Sequence, residues 1–392
     1  MNRSCKPGAL KKRAGLIYSF LIAVILLSTL ACDLTISPVT GVPATQTNQA
    51  VSNSGSSQNF PPWLTVYFTD PDPPDNMGHG IDQYVVAVLN NASVSIDAAS
   101  LDLNLPGVVN ALVRASQRGV IVRVVYDSEN GNLELDNALT NNKKFDAIKA
   151  LRSANIALVD GGYSSGLMHD KMIIVDGLVL FMGSWNLSYN DTYRNNNNLL
   201  EITDPRLIAN YQAKFNEMFI DKRFGTKAGL QAPFPSLNIG GTQVENYFAP
   251  EDDVMAKLVS YVQSAEVSVH FMAYAYTHPD LSTAMIKQAA AGIQVEGVIE
   301  HRNAAQGVFS RLFCSGISVE TDGNPYNMHH KVIIIDRQIV ITGSFNFTKS
   351  ADTINDENVL VIHSPVVAAL FEQEFQRIYD AGETPSASDV CQ

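Results

Sequence analysis

The feature that most constrains the fold of this 392-residue chain is an internal repeat. Residues 168–186 read MHDKMIIVDGLVLFMGSWN, and residues 328–346 read MHHKVIIIDRQIVITGSFN, at an offset of 160 without a gap. The segments 195–202 and 355–362 keep the same offset. Because self-similarity at a fixed period indicates repeated structural units, the sequence predicts two copies of one fold.

Each copy has the pattern of an α/β lobe. Two β-α units come first, followed by two strands around a tight turn, a helix start and a last strand. Upstream of the motif the offset is 173, since 119–125 matches 292–298, and the extra residues of the first half fall in the polar stretch 128–144. We predict two similar lobes, each a mixed, mostly parallel sheet flanked by helices, related by a pseudo-two-fold axis. The lobes are predicted to span residues 61–228 and 240–384.

The repeated element has the pattern His-x-Lys-x(4)-Asp-x(6)-Gly-Ser-x-Asn. Its polar members are His169, Lys171, Asp176, Ser184 and Asn186 in the first copy, and His329, Lys331, Asp336, Ser344 and Asn346 in the second. Since residues i and i+2 of a strand point to one side, each histidine shares a face with its lysine. A hairpin turn then returns Gly-Ser-x-Asn beside the histidine. Two such lobes facing each other would hold a phosphodiester and stabilise a pentacovalent transition state.

This element, present twice at matched spacing, resembles the signature of the phospholipase D superfamily, and the resemblance covers roughly residues 61–384. It implies that one histidine attacks phosphorus to form a phosphohistidine, while the other protonates the leaving oxygen and then activates water. The resemblance implies His169 as the nucleophile and His329 as the acid and base. It also implies that no cofactor or metal is needed, because the lysines supply positive charge. The residues expected to bind the phosphate are Lys171, Lys331, Asn186 and Asn346.

The other motif positions are expected to support the site. Asp176 and Asp336 lie on the opposite strand face by parity, so we interpret them as structural residues at a turn. Ser184 and Ser344 are expected to cap the helix that follows and to donate to an anion at its N-terminus.

A carboxylate after each motif, which orients a histidine, is a further implication of the resemblance. Glu357 fits this position in the second lobe, whereas the equivalent residue of the first lobe is Asn197. Glu201 and Asp191 are the candidates to replace it there. The difference indicates that the two histidines are not equivalent, and the sequence leaves open which of them Glu357 supports.

Aromatic residues and further histidines lie near or outside the motifs. Trp185 and Phe345 are predicted to pack in the core, while Tyr163 and Tyr326 are candidates to line the entrance. The remaining histidines do not repeat between the lobes, and we interpret them as structural or solvated: His79, His270, His278, His301 and His363.

The N-terminus has the pattern of an export signal. A basic segment, 11–13, precedes an apolar run over 16–27 that is shorter than the roughly 20 residues of a spanning helix. Residues 27–32 resemble a bacterial lipoprotein signal, with Cys32 as the lipidated residue, so 1–32 is predicted to anchor the chain in the cell envelope. An uncleaved span or a plain signal is the alternative. Residues 33–60 are polar and predict a flexible linker.

That location permits disulfides, so the remaining cysteines, Cys314 and Cys391, are expected either to form a bridge or to stay unpaired.

Net charge bears on the substrate. The chain carries −12, and because five basic residues and no acidic ones lie in 1–32, the remainder carries −17. A nucleic-acid binder is expected to be basic, so the sequence favours a phospholipid substrate. A nuclease, a phosphatidyl transferase and an inactive surface binding module remain the alternatives. Since both motifs are in one chain, we expect a monomer.

Overall fold

The computed structural model describes residues 60–391, apart from 137–138, 141–142 and 306. The predicted signal segment 1–32, with Cys32, and nearly all of the linker 33–60 lie outside the described residues. Within the described part, no helix is long and apolar enough to cross a membrane.

The first lobe is built on a sheet in the order β1-β9-β8-β7-β2-β3-β6. Its strands are β1 (Leu64–Phe68), β2 (Ser95–Ser100), β3 (Ile121–Tyr126), β4 (Glu134–Leu135), β5 (Phe145–Asp146), β6 (Ala157–Asp160), β7 (Met172–Val175), β8 (Val179–Gly183) and β9 (Asn198–Ile202). Its helices are α1 (Asp82–Asn91), α2 (Pro106–Gln117), α3 (Ala147–Ser153), α4 (Tyr189–Tyr193) and α5 (Pro205–Phe219). The short pair β4 and β5 occupies the stretch where the sequence places the extra residues of this lobe.

The second lobe repeats this plan in a sheet of order β10-β11-β17-β16-β15-β12-β13-β14. Its strands are β10 (Ser236–Ile239), β11 (Thr242–Ala249), β12 (Ser268–Ala273), β13 (Gln294–Ile299), β14 (Ser318–Thr321), β15 (Lys331–Ile335), β16 (Ile339–Gly343) and β17 (Glu357–His363). Its helices are α6 (Val254–Gln263), α7 (Pro279–Ala290), α8 (His301–Ala304), α9 (Phe309–Phe313), α10 (Lys349–Thr353), α11 (Pro365–Asp380) and α12 (Ala387–Val390). The predicted two-lobed α/β class is therefore confirmed.

Each sheet is mixed. β2, β3 and β6 are parallel, as are β12, β13 and β14, and these strands alternate with helices that cover one face. The motif strands β7–β9 and β15–β17 run as antiparallel neighbours beside them. A separate apolar core fills each lobe, and a third, to which α5 and α11 contribute, contains residues of both lobes. This shared core fixes the lobes against each other, because apolar burial is the main stabilising term of folding.

The hairpin at the far end of each motif strand is a tight turn. Asp176 and Asp336 both have φ of 53° there, the left-handed conformation that such hairpin turns require. The Asp176 carboxylate accepts hydrogen bonds from the backbone N–H groups of residues 93–95 at 2.8–2.9 Å, and Asp336 binds residues 266–268 in the same way. These aspartates therefore fasten the start of β2 and β12 and lie at the end of the hairpin opposite the histidines.

Gly183 and Gly343 show why the second half of the motif needs glycine. Their φ values are 151° and 154°, and a Cβ atom at either position would lie 2.5 Å or less from the carbonyl oxygen of Asn198 or Asn358. Only glycine therefore allows the Ser-x-Asn segment to pack against the neighbouring strand.

The lobes exchange contacts reciprocally. His169 N donates to the carbonyl of Asp356 at 3.0 Å, and His329 N donates to the carbonyl of Asn196 at 2.9 Å. Because each partner lies 160 residues from its counterpart, the two contacts are equivalent under a two-fold rotation. Each histidine is therefore held at its backbone by the other lobe.

A buried ionic cluster lies beside this contact. Lys214 Nζ on α5 lies 2.6 Å from Glu251, 3.2 Å from Asp356 and 3.4 Å from Glu217, so it joins one lobe to the other. Burial raises the pKa of the nearby Asp170 to about 7, and the positive charge of Lys214 opposes this rise.

The equivalent positions of the second lobe carry the acidic and the basic residue in the opposite order. The acid Glu374 stands where the first lobe has Lys214, and its Oε1 binds His330 Nε2 at 3.0 Å. His330 in turn stands where the first lobe has Asp170, so the acid and the base have changed places between the lobes.

A disulfide joins Cys314 to Cys391, with the Cα atoms 5.6 Å apart. Of the two alternatives left by the sequence, the structure shows the bridge. It fastens the C-terminal segment to the loop between α9 and β14.

Candidate active site

The first catalytic-motif histidine pairs with the carboxylate of the other lobe. His169 Nδ1 donates to Glu357 Oε2 at 2.7 Å, and both side chains are buried. A carboxylate on Nδ1 fixes the ring and leaves Nε2 as the nitrogen available for chemistry. The question that the sequence leaves open is answered here, since Glu357 supports His169 across the lobe boundary.

The second histidine has an amide in the equivalent place. His329 Nδ1 donates to Asn197 Oδ1 at 2.9 Å. The orientation of the Asn197 amide is fixed, because its Nδ2 donates to the carbonyl of Asp191 at 3.0 Å and its Oδ1 also accepts from Ser184 Oγ at 2.9 Å. His329 is therefore oriented without a direct carboxylate partner.

The carboxylate expected near the second histidine is not Glu201. Glu201 lies on β9, about 13 Å along the strand from Asn197. Its carboxylate accepts a hydrogen bond from the Tyr67 hydroxyl at 2.7 Å. The expectation for Glu201 is wrong for this reason. Asp191 is the carboxylate that lies near His329, with Oδ1 3.7 Å from Nδ1.

The motif serines position the partners of the histidines. Ser344 Oγ donates to Glu357 Oε2 at 2.6 Å, and Ser184 Oγ donates to Asn197 as described. The short helices that follow are capped instead by Ser188 and Thr348. The prediction that the motif serines cap these helices is therefore wrong, because their hydroxyls bind Asn197 and Glu357, the partners of the histidines. That they also donate to an anion stays a prediction.

The two lysines lie at the centre of the site. Lys171 Nζ donates to its own lobe's His169 carbonyl at 2.8 Å, and Lys331 Nζ donates to the His329 carbonyl at 2.7 Å. An ammonium carries three donors. Among the described residues each has this single hydrogen-bond acceptor, so further donors are available to a phosphate.

The asparagines complete the arrangement. Asn186 Oδ1 lies 3.5 Å from Ser100 Oγ and 3.4 Å from the backbone N of Asp102, which turns its Nδ2 away from these groups. Asn346 holds the same motif position in the second lobe, but its buried Oδ1 has no hydrogen-bond partner among the described residues. Of the seven residues proposed for catalysis, the structure brings five together, namely His169, Lys171, His329, Lys331 and Glu357.

Burial and the lysines set the protonation of the histidines. Burial lowers the pKa of His169, although Glu357 opposes the effect. The pKa of His329 falls well below its usual value because of burial first, and then because of Lys331 and Lys171. Both rings are therefore neutral without substrate, and a bound phosphate anion would favour protonation of the ring that acts as the acid.

Tyr274 and Asp102 line the site but are not among the site residues predicted from the sequence. The Tyr274 ring centroid lies 4.6 Å from that of His329 and 4.8 Å from Lys331 Nζ. Burial raises the pKa of Asp102 to about 6, with Asp191 adding to the effect. Neither residue repeats in the other lobe, so comparison of the two copies could not find them.

The predictions for the aromatic residues have different outcomes. Trp185 and Phe345 are buried in the cores of their lobes, as predicted. Tyr163 does not line an open entrance, because its hydroxyl donates to the carbonyl of Ile354 at 2.7 Å and joins the lobes. Tyr326 is partly exposed, and the Arg194 guanidinium lies 4.8 Å from its ring centroid.

Comparisons with known proteins agree with this geometry. A family model described as cardiolipin synthase, PLD-like domain, matches residues 85–219 and 258–379. A phospholipase D of Rickettsia conorii is 35% identical over 188 residues, which cover 41% of this chain and 94% of that protein. A mitochondrial cardiolipin hydrolase of Chlamydomonas reinhardtii is 31% identical over 209 residues, 46% of this chain and 92% of its own.

The phosphatidylserine synthase structure from Haemophilus influenzae shares the fold, with a TM-score of 0.62 at 13% identity over 82% of this chain and 87% of that one. Fold, site and family match together define a phosphodiesterase whose two motif copies form one site. The chain belongs to the phospholipase D superfamily.

Replacing Glu357 by glutamine should lower kcat by about 100-fold or more, because the amide no longer stabilises a cationic ring on His169. We would measure steady-state hydrolysis of bis(p-nitrophenyl) phosphate, a soluble diester that needs no lipid surface. Glu201→Gln is the matched control and should retain kcat within about twofold, since Glu201 binds Tyr67 outside the site. A Glu357→Gln enzyme as active as this control would contradict the assigned role.

Proposed function

We propose that the protein is a phospholipase D-type hydrolase that converts phospholipid, such as phosphatidylcholine, and water into phosphatidic acid and the head-group alcohol. His169 Nε2 attacks phosphorus, and the bond from phosphorus to the head-group oxygen breaks as His329 donates a proton to that oxygen. Water then attacks the phosphohistidine, His329 takes the proton from the water, and the N–P bond breaks to restore His169.

The remaining site residues stabilise charge in this reaction. Lys171, Lys331 and the two motif asparagines hold the non-bridging oxygens as negative charge develops. Glu357 stabilises the ring that becomes cationic when His169 carries phosphorus. Every step is carried by side chains of this chain.

The observation that carries the lipid proposal is an apolar cavity in the first lobe, whose lining includes Tyr189, three residues after the motif residue Asn186. The cavity has a volume of about 530 Å³, and its lining is mainly apolar and aromatic, with Thr140, Lys143 and Lys144 as its polar members. The segment after Asn186 forms part of its wall, since Leu187 accepts from the backbone N of Leu105 at 3.1 Å and Tyr189 lines the cavity. Its lining includes Met77, Leu105, Pro106, Leu135, Tyr189 and Tyr193. An apolar cavity in the lobe that carries His169 suits a diester with an apolar ester group.

The charge of the chain supports the same substrate. With −17 outside the N-terminal segment, an extended nucleic-acid strand would meet a mostly acidic surface. The relatives named phospholipase D and cardiolipin hydrolase are consistent with a lipid substrate. The predicted anchor at Cys32 would hold the protein, as a monomer, at the envelope membrane.

The substrate is tested by incubating the full-length protein, in EDTA, with phosphatidylcholine vesicles and in parallel with plasmid and single-stranded DNA. We expect choline and phosphatidic acid in equimolar amounts and no DNA cleavage. DNA nicking without choline release would identify a nuclease, and phosphatidyl transfer to an added alcohol in place of hydrolysis would identify a transferase. Binding of vesicles without turnover would leave a surface binding module.

Met77→Asp tests the cavity separately, because Met77 lines it and is 61% exposed, so the fold should tolerate the change. We expect kcat/KM on vesicles to fall about tenfold, since burying one methionine side chain is worth roughly 1.5–3 kcal/mol. Hydrolysis of the soluble diester should not change. Leu178→Asp is the matched control, because Leu178 is 68% exposed at the turn remote from the site. Equal losses of kcat/KM in both variants would show that the cavity does not bind the lipid.

A further inference from the structure

A second cluster of metal-ligating groups lies in the second lobe at the carboxyl ends of two parallel strands. Glu300 and His301 follow β13, and Asp322 follows β14. One potential ligand atom from each of the three lies within 4.8 Å of the others. None of these residues belongs to the repeated motif.

The distances suit a tetrahedral ion. His301 Nδ1 lies 3.4 Å from Glu300 Oε1 and 3.3 Å from Asp322 Oδ2. Ligands bound to Zn²⁺ at about 2.0–2.2 Å in a tetrahedron are separated by about 3.3–3.6 Å. These two distances match the spacing of ligands around one ion, and the Glu300 and Asp322 oxygens lie within 4.8 Å of each other.

One carboxylate oxygen of Glu300 lacks a hydrogen-bond donor among the described residues. The residue is completely buried, and its Oε1 accepts no hydrogen bond from any residue that the structure describes. Its other oxygen accepts from the backbone N of Asn303 at 2.9 Å. A buried carboxylate oxygen without a donor is unfavourable unless a cation binds it.

The first lobe provides an internal comparison. Asp127 stands where the second lobe has Glu300, and its oxygens accept from the backbone N of Glu129 and Asn130 at 3.0 and 2.8 Å and from that of Met168 at 3.2 Å. Ser128 replaces the histidine. The same loop thus satisfies its carboxylate with backbone donors in one lobe, whereas in the other lobe Glu300 Oε1 has no donor among the described residues. The Asp322 Oδ2 atom beside it accepts from the backbone N of His301 at 2.7 Å and lies 3.3 Å from His301 Nδ1.

The geometry points to a Zn²⁺ site formed by Glu300 Oε1, His301 Nδ1 and Asp322 Oδ2. The mixed nitrogen and oxygen set favours zinc over calcium or magnesium, which prefer six or more oxygen ligands. The His301 side chain is 36% exposed, so the ion could enter from solvent and keep a water as its fourth ligand.

This ion would stabilise the part of the second lobe that packs against His329. Asn303, three residues after Glu300, donates from Nδ2 to the carbonyl of Tyr274, whose ring contacts His329. Asp322 begins the loop that leads to His329. The role is structural and independent of the phosphohistidine chemistry.

The test is zinc binding by chelator-treated, full-length protein, measured by titration calorimetry with ZnCl₂ and by elemental analysis. We expect one zinc per chain and a higher melting temperature with zinc. His301→Ala and Asp322→Asn should each weaken binding at least about 100-fold, since loss of a direct ligand exceeds the 10–100-fold effect of an outer-shell change.

His363→Ala is the matched control. The His363 side chain is 31% exposed and lies 3.4 Å from a single carboxylate, Glu245, so this variant should bind zinc as tightly as the parent. No zinc uptake, or uptake that survives His301→Ala, would overturn the site and leave an ordinary ion pair. The measurement needs no substrate, so failure of the lipid proposal would not affect it.

Discussion

Replacing His169 by alanine should reduce phosphodiester hydrolysis by at least about 10⁴-fold, the scale seen when a nucleophilic unit loses one member. The His169 ring is buried, and its Nδ1 donates to Glu357 at 2.7 Å. Lys171 Nζ is also engaged, since it donates to the backbone carbonyl of His169. No other side chain in the site can therefore offer a nitrogen at the same place. The loss should appear in kcat on both vesicles and the soluble diester.

The intermediate distinguishes the two histidines. Rapid acid-free quenching followed by mass spectrometry should find the phosphoryl adduct on the peptide that contains His169. His270→Ala is the control, because His270 also forms a buried pair with a carboxylate, Glu372 at 2.8 Å, but outside the site. An adduct on the His329 peptide would reverse the assigned roles.

Replacing Lys214 by methionine should destabilise the protein by about 3–5 kcal/mol, because removal of one partner leaves uncompensated buried charge. Lys214 is completely buried and lies within 3.4 Å of Glu217, Glu251 and Asp356. Since Asp356 precedes Glu357 and its carbonyl binds His169, activity should fall as well.

Thermal unfolding measures this effect. Lys257→Met is the control, because Lys257 lies over the Tyr247 ring at 4.4 Å and should contribute less than about 1 kcal/mol. Adding Glu251→Gln and Asp356→Asn to Lys214→Met should recover part of the loss by removing the unpaired charges. A Lys214→Met protein as stable as the control would show that the cluster does not hold the lobes together.

The sequence predicts what depends on local pattern. The repeat, the alternation of strand residues and the turn before β8 predict the two lobes and place each histidine beside its lysine. Burial of Trp185 and Phe345 follows from the same pattern. These features depend on neighbours within a few residues or on comparison of equivalent positions.

What could not be predicted depends on contacts between the lobes. Glu357 and His169 are 188 residues apart, and only the packed structure shows that each histidine takes its partner from the other lobe. Local pattern predicts a helix cap for each motif serine, whereas the acceptors of their hydroxyls lie 13 residues further along the chain. Comparison of the two copies cannot reveal Tyr274 or Lys214, because the copies differ at these positions.

The pairing of Lys214 with Asp356 across the lobe boundary has an evolutionary consequence, because the equivalent residues of the other copy are Glu374 and Asn196. In a dimer of identical lobes, one gene would encode both halves, so any mutation would enter the interface twice. Joining two copies in a single chain removes that restriction. Each half could then acquire changes that only its opposite half accommodates, as Asn197 and Glu357 also show. The lobes have become complementary, and neither could now be replaced by a duplicate of the other without losing these pairings.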